Sequence, residues 1–123
     1  MIAGIYNLLV EQGATFGRVL DVQQPDPIDP TGATYEVMSL ENFTARMQVR
    51  RTIESTTVMV SLTTENGRIA IEGAIGRITL SMSDTVTAAI ETSGVYDLEI
   101  VDAGGDVSRL IQGNFTLAPE VTR

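Results

Sequence analysis

Apolar and polar residues alternate along much of the chain, most clearly in the segment FTARMQVR at 43–50. Its odd-numbered positions are apolar and its even-numbered positions are polar, so the two sets face opposite sides of an extended strand. The apolar set is Phe43, Ala45, Met47 and Val49, and the polar set is Thr44, Arg46, Gln48 and Arg50. This pattern predicts a strand with one buried face and one exposed face.

The same alternation predicts strands elsewhere, whereas helical periodicity is almost absent. The segments IYNLLVEQ (5–12) and TFGRVLDV (15–22) are candidate strands, and we expect a bulge or sharp bend at Gly13-Ala14 between them. The segment TVMVSLTT (57–64) is followed by an Asn66-Gly67 turn, from which RIAI (68–71) returns.

The two segments that follow are predicted to be a strand and a short helical turn. After a turn at EGAIG, RITLSM (77–82) is predicted to be a strand with Ile78, Leu80 and Met82 inward. The segment SDTVTAAIETSG is compatible with a helix, so we expect one short helical turn near 83–91, capped by Ser83 or Asp84. About seven or eight strands at this spacing predict an all-β, antiparallel β-sandwich that forms a single domain over residues 1–123.

Two segments are predicted to lie outside the strands. The stretch 23–42 is polar and contains Pro25, Pro27 and Pro30, which cannot donate backbone hydrogen bonds to a sheet. We therefore expect a proline-rich loop there, with a short turn at SLEN. Residues 118–123 are expected to form a short C-terminal tail.

The segment YDLEIVDAGGDVSRLIQGNF at 96–115 predicts a closing hairpin. A two-residue turn at Gly104-Gly105 would place Leu98 opposite Ile111, Tyr96 opposite Gly113 and Gly94 opposite Phe115. Aromatic residues that cover strand glycines stabilise a sheet. The other face would then carry Asp97 and Glu99 beside Gln112 and Leu110. Tyr96, Gly113, Gly104 and Gly105 are therefore the predicted structural residues.

Tyr96 has two interpretations. It lies early in the penultimate strand after a polar crossing segment, as does the tyrosine of a tyrosine corner in immunoglobulin-like sandwiches. Its hydroxyl would then bond to the backbone of the 83–91 segment. Alternatively, it is an ordinary core tyrosine.

Composition removes several kinds of chemistry. The chain contains no cysteine and no histidine, which excludes thiolate nucleophiles, zinc–thiolate sites and imidazole acid–base catalysis. The net charge of −8 argues against nucleic-acid binding, because such binding depends on cations that contact phosphate. The apolar opening MIAGIYNLLV is too short to cross a bilayer and lacks the features of a signal peptide. We expect a soluble, unprocessed protein with no membrane partner.

Few side chains suggest a catalytic or metal site. Asp97 and Glu99 share a strand face but have no evident cleft, so they are expected to be solvated rather than a glycosidase pair. Asp26, Asp29, Asp102 and Asp106 could supply oxygen ligands to calcium, although no EF-hand-like loop is present. We predict no catalytic residue, no cofactor and no metal, and hence a protein that is not an enzyme.

Three arginines form the basic cluster of the sequence: Arg46, Arg50 and Arg51. They either balance nearby acids on an exposed face or form ion pairs with an acidic neighbouring subunit, which could be another copy of this protein. All eight basic residues are arginines, which suit protein–protein contacts but also follow from genomic base composition. The full set of candidate interface residues is Arg46, Arg50, Arg51, Asp97, Glu99, Leu110, Pro25, Pro27 and Pro30.

The strand order brings out a resemblance to a known family. The segments FTARMQVR, LTTENGRIAIEGAIGRITLSMSDTVTAAI and GVYDLEIVDAGGDVSRLIQGNFTLAPEVTR resemble a small protein of tailed bacteriophages. That family is similar to the N-terminal immunoglobulin-like domain of phage baseplate upper proteins. The resemblance covers residues 40–123, and IYNLLVEQGATF resembles the family's opening strand. It implies that the sandwich is immunoglobulin-like.

The resemblance also implies a function and a location. It predicts a structural virion protein, present in multiple copies in a symmetric assembly with other phage proteins of the tail, baseplate, fibre or capsid. The chain ends at Arg123 without a long receptor-binding or coiled-coil extension, which favours an adaptor, a cap or a decoration subunit over direct host recognition. Of these we expect a tail, baseplate or fibre-attachment adaptor. Capsid decoration or a head-fibre role is the alternative. A carbohydrate-binding module that uses Tyr6, Phe16 and Tyr35, or a carboxylate hydrolase, are alternatives of other classes.

Overall fold

A computed structural model describes residues 3–123, and strands make up most of its regular structure. In chain order the elements are β1 (Gly4–Ile5), β2 (Leu8–Glu11), β3 (Phe16–Asp21), β4 (Gln23–Pro25), β5 (Tyr35–Val37), β6 (Thr44–Arg50), β7 (Val58–Thr63), β8 (Ile69–Glu72), a 3-10 turn (Gly73–Ile75), β9 (Arg77–Met82), α1 (Asp84–Ala88), β10 (Gly94–Val101) and β11 (Val107–Ala118). Ser83 caps α1 by accepting a hydrogen bond from the Val86 amide, as predicted.

The strands form a two-layer sandwich, which confirms the predicted fold class. The first sheet has the order β1/β2–β11–β10–β6–β7, and the second has the order β3–β9–β8. Successive strands pass repeatedly from one sheet to the other, as in immunoglobulin-like sandwiches. Because β1 and β2 occupy one edge position in succession, the sandwich has eight strand positions, in agreement with the predicted seven or eight. A separate ribbon of β4 and β5 accounts for the remaining strands.

The first sheet is mixed, which corrects the prediction of a wholly antiparallel sandwich. Both β1 and β2 pair with β11 in the parallel direction. The sequence pattern identifies strands but not their partners, and this pairing joins segments at opposite ends of the chain. The remaining strand pairs of both sheets are antiparallel.

One hydrophobic cluster lies between the two sheets. In β6 the alternation predicted for this strand is observed, because Ala45, Met47 and Val49 are all buried. The opposite layer contributes Ile78, Leu80 and Met82 of β9, again as predicted. Burial of these aliphatic side chains from both layers is the main favourable term in holding the sheets together.

The register of the closing hairpin is as predicted near its base. Gly94 pairs with Phe115, Tyr96 with Gly113, and Leu98 with Ile111. Gly113 has a further role that the pattern did not reveal. A Cβ atom at this position would overlap the backbone of Tyr6, so glycine allows the chain between β1 and β2 to cross close above β11.

The tip of this hairpin differs from the prediction. The amide of Gly105 donates to the Asp102 carbonyl at 3.0 Å, and Gly105 has φ +89°. This geometry is a three-residue loop at 103–105 rather than a two-residue turn at Gly104-Gly105. The extra residue places Glu99 opposite Arg109 instead of Leu110, and a bulge at Leu110 restores the predicted register beyond it.

The predicted loop at 23–42 is instead a β-ribbon on an ordered base. Strands β4 and β5 pair in antiparallel fashion, and Pro25, at the end of β4, lies opposite Tyr35. At the base, the amide of Met38 donates to the Val22 carbonyl at 3.0 Å, and Leu40 is buried in the core. The two strands have only three residues each, which is too short for their alternation to be recognised in the sequence, and the prolines at 25, 27 and 30 favoured a loop.

The turn at Asn66-Gly67 is present as predicted, but the strands on either side of it do not pair with each other. The side-chain Oδ1 of Asn66 accepts hydrogen bonds from the amides of Thr63 and Arg68, both at 3.0 Å, so a tight turn is present. However, β7 belongs to the first sheet and β8 to the second. The turn therefore carries the chain between the layers instead of forming a hairpin. A turn signature fixes a local reversal but does not fix the pairing that follows.

Candidate functional site

A broad concavity of ≈ 880 Å³ lies on the outer face of the first sheet, and we call it the charged groove. Its floor is formed by the outward-facing side chains of β6, β10 and β11, which alternate with the buried core residues. The lining side chains used in the following argument are Ile5, Arg46, Arg50, Ile53, Asp97, Glu99 and Arg109. The structure thus brings Arg46, Arg50, Asp97 and Glu99, four of the predicted interface residues, together on one face.

Two ion pairs cross the floor of the charged groove. Arg46 Nε lies 2.8 Å from Glu99 Oε1, and Arg109 Nε lies 3.4 Å from Asp97 Oδ2. Arg46 and Glu99 lie directly opposite each other on β6 and β10, whereas the Arg109–Asp97 pair runs diagonally between β11 and β10, where Arg109 lies opposite Glu99. Because these side chains are in contact with solvent, each pair contributes only about 0–1 kcal/mol to stability. Their greater effect is to fix a pattern of alternating charges on the sheet.

Arg50 and Arg51 lie at one end of the charged groove. The guanidinium of Arg50 donates to the Ser55 carbonyl at 2.7 Å and to Gln48 Oε1 at 2.8 Å. In the part of the chain that the structure describes, no carboxylate lies within 4.0 Å of either arginine. Arg51 is exposed just outside the lining residues. These cations therefore remain available to an external partner.

The groove differs from the rest of the molecule in its charge and in its rim. Among its described lining residues, three arginines face two carboxylates, giving a net +1, whereas the chain as a whole has −8. Two aliphatic side chains stand at its rim, Ile5 with 79% and Ile53 with 84% of its surface exposed. Exposed aliphatic side chains beside arginines are typical of surfaces that bind other proteins.

Leu110 and the three prolines lie outside this groove. Leu110 is the bulged residue of β11 and packs partly against the core, so its predicted place beside Glu99 on the exposed face is wrong. Pro25, Pro27 and Pro30 are all exposed on the ribbon. Apart from Leu110, the predicted interface residues thus lie in or beside the charged groove or on the ribbon.

The tip of the ribbon, residues 26–34, is ordered by its own acidic side chains. Asp26 Oδ1 accepts from the Ile28 amide at 2.9 Å, and Asp29 accepts from the amides of Thr31 and Thr34, each at 2.9 Å. The hydroxyl of Thr31 also donates to Asp29. Hydrogen bonds from Thr31 and Thr34 hold the pKa of Asp29 well below its usual range, so this residue stays charged. Ile28 stands between the two carboxylates with 87% of its surface exposed.

Tyr96 is a buried tyrosine and does not form a tyrosine corner, which was one of its two interpretations. Its hydroxyl donates to the backbone carbonyl of Tyr6, between β1 and β2, and not to the 83–91 segment. Burial, and next the neighbouring Tyr6, raise the pKa of Tyr96 to about 12. The contact fastens the N-terminal edge strand to β10 across the top of β11.

Arg18 is part of the same contact but was not identified from the sequence. It lies between Phe16 and Leu20 on the inward-facing side of β3, and its Nη1 donates to the Tyr6 hydroxyl at 2.7 Å. Its guanidinium also lies 5.8 Å from the centre of the Tyr6 ring, within the range of a cation–π interaction. The signal available in the sequence was a charged residue at an apolar position of an alternating strand. An inward-pointing charge on an edge strand also discourages pairing with other chains.

The residues predicted for other chemistry are dispersed. Of the three aromatics considered for carbohydrate stacking, Phe16 is buried, Tyr6 packs against Arg18, and Tyr35 is exposed. Within residues 3–123, no three acidic side chains converge into a cluster that could hold a metal ion. Over the same range, no helix has the length and apolar character needed to cross a bilayer.

The C-terminal tail packs back onto the bend between β2 and β3. The amide of Glu120 donates to Gln12 Oε1 at 3.0 Å, while Gln12 Nε2 donates to the Ile90 carbonyl at 2.8 Å. The Glu120 carboxylate occupies the space beside Gly13, where φ is +81°. The tail is therefore held as far as Glu120, and the last three residues are exposed.

No family model and no curated protein matches this chain. The similarity to phage baseplate proteins therefore rests on the residue patterns alone and stays a prediction.

Proposed function

We propose that this protein is a structural component of a tailed-bacteriophage virion that acts as a tail, baseplate or fibre-attachment adaptor. It performs no catalysis, uses no cofactor and works through contacts with other virion proteins in a symmetric assembly. The observation that supports this proposal best is the charged groove, because its mixed charges and aliphatic rim suit a protein partner. The residue patterns shared with phage baseplate proteins supply the identity of the assembly.

The composition supports a binding role over an enzymatic one. Without cysteine or histidine, catalysis would depend on carboxylates. The two carboxylates of the groove, Asp97 and Glu99, are each engaged in an ion pair with an arginine. Such residues provide specificity in a contact between proteins, because each ion pair can exchange partners with a complementary surface.

The proposal is tested on intact phage particles that encode this chain. Mass spectrometry of purified particles should detect the protein in a constant ratio to the major tail protein, and a density map should show the sandwich at a tail, baseplate or fibre joint. Density on the capsid surface would support the alternative, capsid decoration or a head-fibre role. Particles that lack the protein altogether would refute a virion function.

A further inference from the structure

The ribbon and the charged groove have opposite net charges, and one protrudes whereas the other is concave. The ribbon at 23–37 carries Asp26, Asp29 and Glu36 and no basic residue, which gives −3. At its tip, the exposed side chain of Ile28 lies between two carboxylates. The groove has the opposite net charge, since its three arginines outnumber Asp97 and Glu99 by one, and the exposed Ile53 lies at its rim. Complementary charges around small apolar contacts are typical of specific interfaces.

The two surfaces lie on different layers of the sandwich. The ribbon is fixed at its base to the turn between β8 and β9, where the amide of Val22 donates to the Gly76 carbonyl at 2.8 Å and that of Leu40 to Gly73 at 2.9 Å. The groove is the outer face of the first sheet and faces away from that layer. A ribbon therefore reaches a groove only in a second copy of the chain.

The tip is also organised before any contact is made. Its amides are bonded to the side chains of Asp26 and Asp29, so little conformational freedom remains to be lost when it binds. The Asp29 carboxylate keeps its charge while it accepts these bonds, because hydrogen bonds from Thr31 and Thr34 lower its pKa. An ordered, acidic protrusion with one exposed isoleucine is suited to a groove of net charge +1 with an aliphatic rim.

We propose that the ribbon tip of one copy binds the charged groove of the next, so that the protein assembles head to tail. This inference rests on the proposed function, since it names the partner as a second copy in the symmetric assembly. A contact between two different surfaces is heterologous. It closes into a ring if its rotation divides a full turn, and otherwise it continues as a filament. Glu54, which is exposed next to Ile53, carries the same charge as the ribbon tip and therefore weakens the attraction at that end of the groove.

The test uses the full chain with one substitution on each surface. Ile28→Glu disables the tip and Ile53→Glu disables the groove, and both positions are exposed enough to leave the fold intact. Val121→Glu is the matched control, because Val121 is 92% exposed on the tail, away from both surfaces. Circular dichroism and thermal unfolding should show the same fold for all four proteins.

Sedimentation velocity over a range of concentrations then measures assembly. We expect the wild type and the Val121→Glu variant to form species larger than the 13.2 kDa monomer, and the other variants to associate at least tenfold more weakly. An equimolar mixture of Ile28→Glu and Ile53→Glu should form a dimer and nothing larger, because one intact groove meets one intact tip.

Three results would overturn the inference. A wild type that stays monomeric up to millimolar concentration would show that the groove does not bind a second copy. Association that is lost in Ile53→Glu but unchanged in Ile28→Glu would indicate face-to-face pairing of two grooves. A mixture that stays monomeric while the wild type associates would exclude tip-to-groove contact. None of these results depends on finding the protein in a particle, so the proposed function is tested separately.

Discussion

Replacing Gly113 with alanine tests how the N-terminal edge strand crosses the sandwich. Gly113 lies inside β11 opposite Tyr96, and its φ is not positive, so alanine can adopt its backbone conformation. From intrinsic preference alone, the substitution should stabilise the protein by about 0.5–1 kcal/mol. The structure predicts the opposite sign, because the new Cβ would overlap the Tyr6 carbonyl and lie 2.8 Å from Asn7 Oδ1.

The overlapped backbone cannot easily move away. The Tyr6 amide donates to the Gln112 carbonyl at 2.9 Å, its carbonyl accepts from Tyr96, and Asn7 Oδ1 accepts from the Asn114 amide at 2.9 Å. Overpacking of this kind costs about 1–3 kcal/mol, and a broken hydrogen bond adds about 1 kcal/mol. After subtraction of the propensity gain, we expect a net loss of about 1–3 kcal/mol. For a domain of this size the melting temperature should fall by roughly 4–12 °C.

The matched control is Gly17→Ala in β3, where no atom lies within 4 Å of the new Cβ. We expect this variant to be as stable as the wild type or slightly more stable. Thermal and urea unfolding followed by circular dichroism measure both variants. If Gly113→Ala proved as stable as Gly17→Ala, the close crossing of Tyr6 over β11 would be wrong.

Three further substitutions test individual contacts. Tyr96→Phe should cost about 1–2 kcal/mol, because it leaves the Tyr6 carbonyl without its donor. Since the folded pKa of Tyr96 is raised from 10.0 to about 12, the stability it contributes is complete below pH 10 and is lost as the pH rises towards 12. Urea unfolding across this range should show the wild-type advantage shrinking. Gln12→Ala should cost about 1–2 kcal/mol and speed hydrogen exchange at the Glu120 amide, because one side chain joins the tail to the bend. Asp29→Asn should remove the pH dependence of the order in the ribbon tip. In the wild type, the order that Asp29 provides is present above the unfolded pKa of about 3.9 and is lost as the pH falls through its lower folded pKa, which amide chemical shifts will report.

Each of these predictions has a contrary result. The difference in free energy of unfolding between wild type and Tyr96→Phe should shrink over roughly pH 9 to 12, the range that covers the two pKa values. If this difference stayed constant, the Tyr96 phenol would not be buried as described. Unchanged exchange at Glu120 in Gln12→Ala would mean that the tail is held by other contacts. If the amide shifts of the tip in Asp29→Asn still moved with acid as in the wild type, Asp29 would not be the group that orders the tip.

The sequence predicted long, regular strands well because their burial pattern is local. In β6 and β9 the alternation extends over at least six residues, and one face is buried as expected. The hairpin register near Tyr96 was correct even though the turn was wrong, because the bulge at Leu110 compensates for the extra loop residue. A burial pattern that must match across two strands thus constrains the register more strongly than the turn does.

What could not be predicted depends on contacts between distant segments. The hydroxyl of Tyr96 finds its acceptor ninety residues away in the chain, and the parallel pairing of β2 with β11 joins opposite ends of the sequence. The charged groove was predicted in part, since Asp97 and Glu99 were placed on one exposed face. Arg46 flanks them because β6 pairs with β10, which no local pattern specifies, and Arg109 flanks them because the register on the loop side of the bulge at Leu110 is shifted from the predicted one.

The parallel pairing of β2 with β11 determines how the molecule would respond to mechanical load. The two strands run in the same direction side by side, so a force that pulls the N-terminal and C-terminal segments apart acts along both strands. Their ladder hydrogen bonds would then be strained in shear at the same time, instead of opening one after another as in a peeled hairpin. A protein built in this way is expected to resist extension between these two segments.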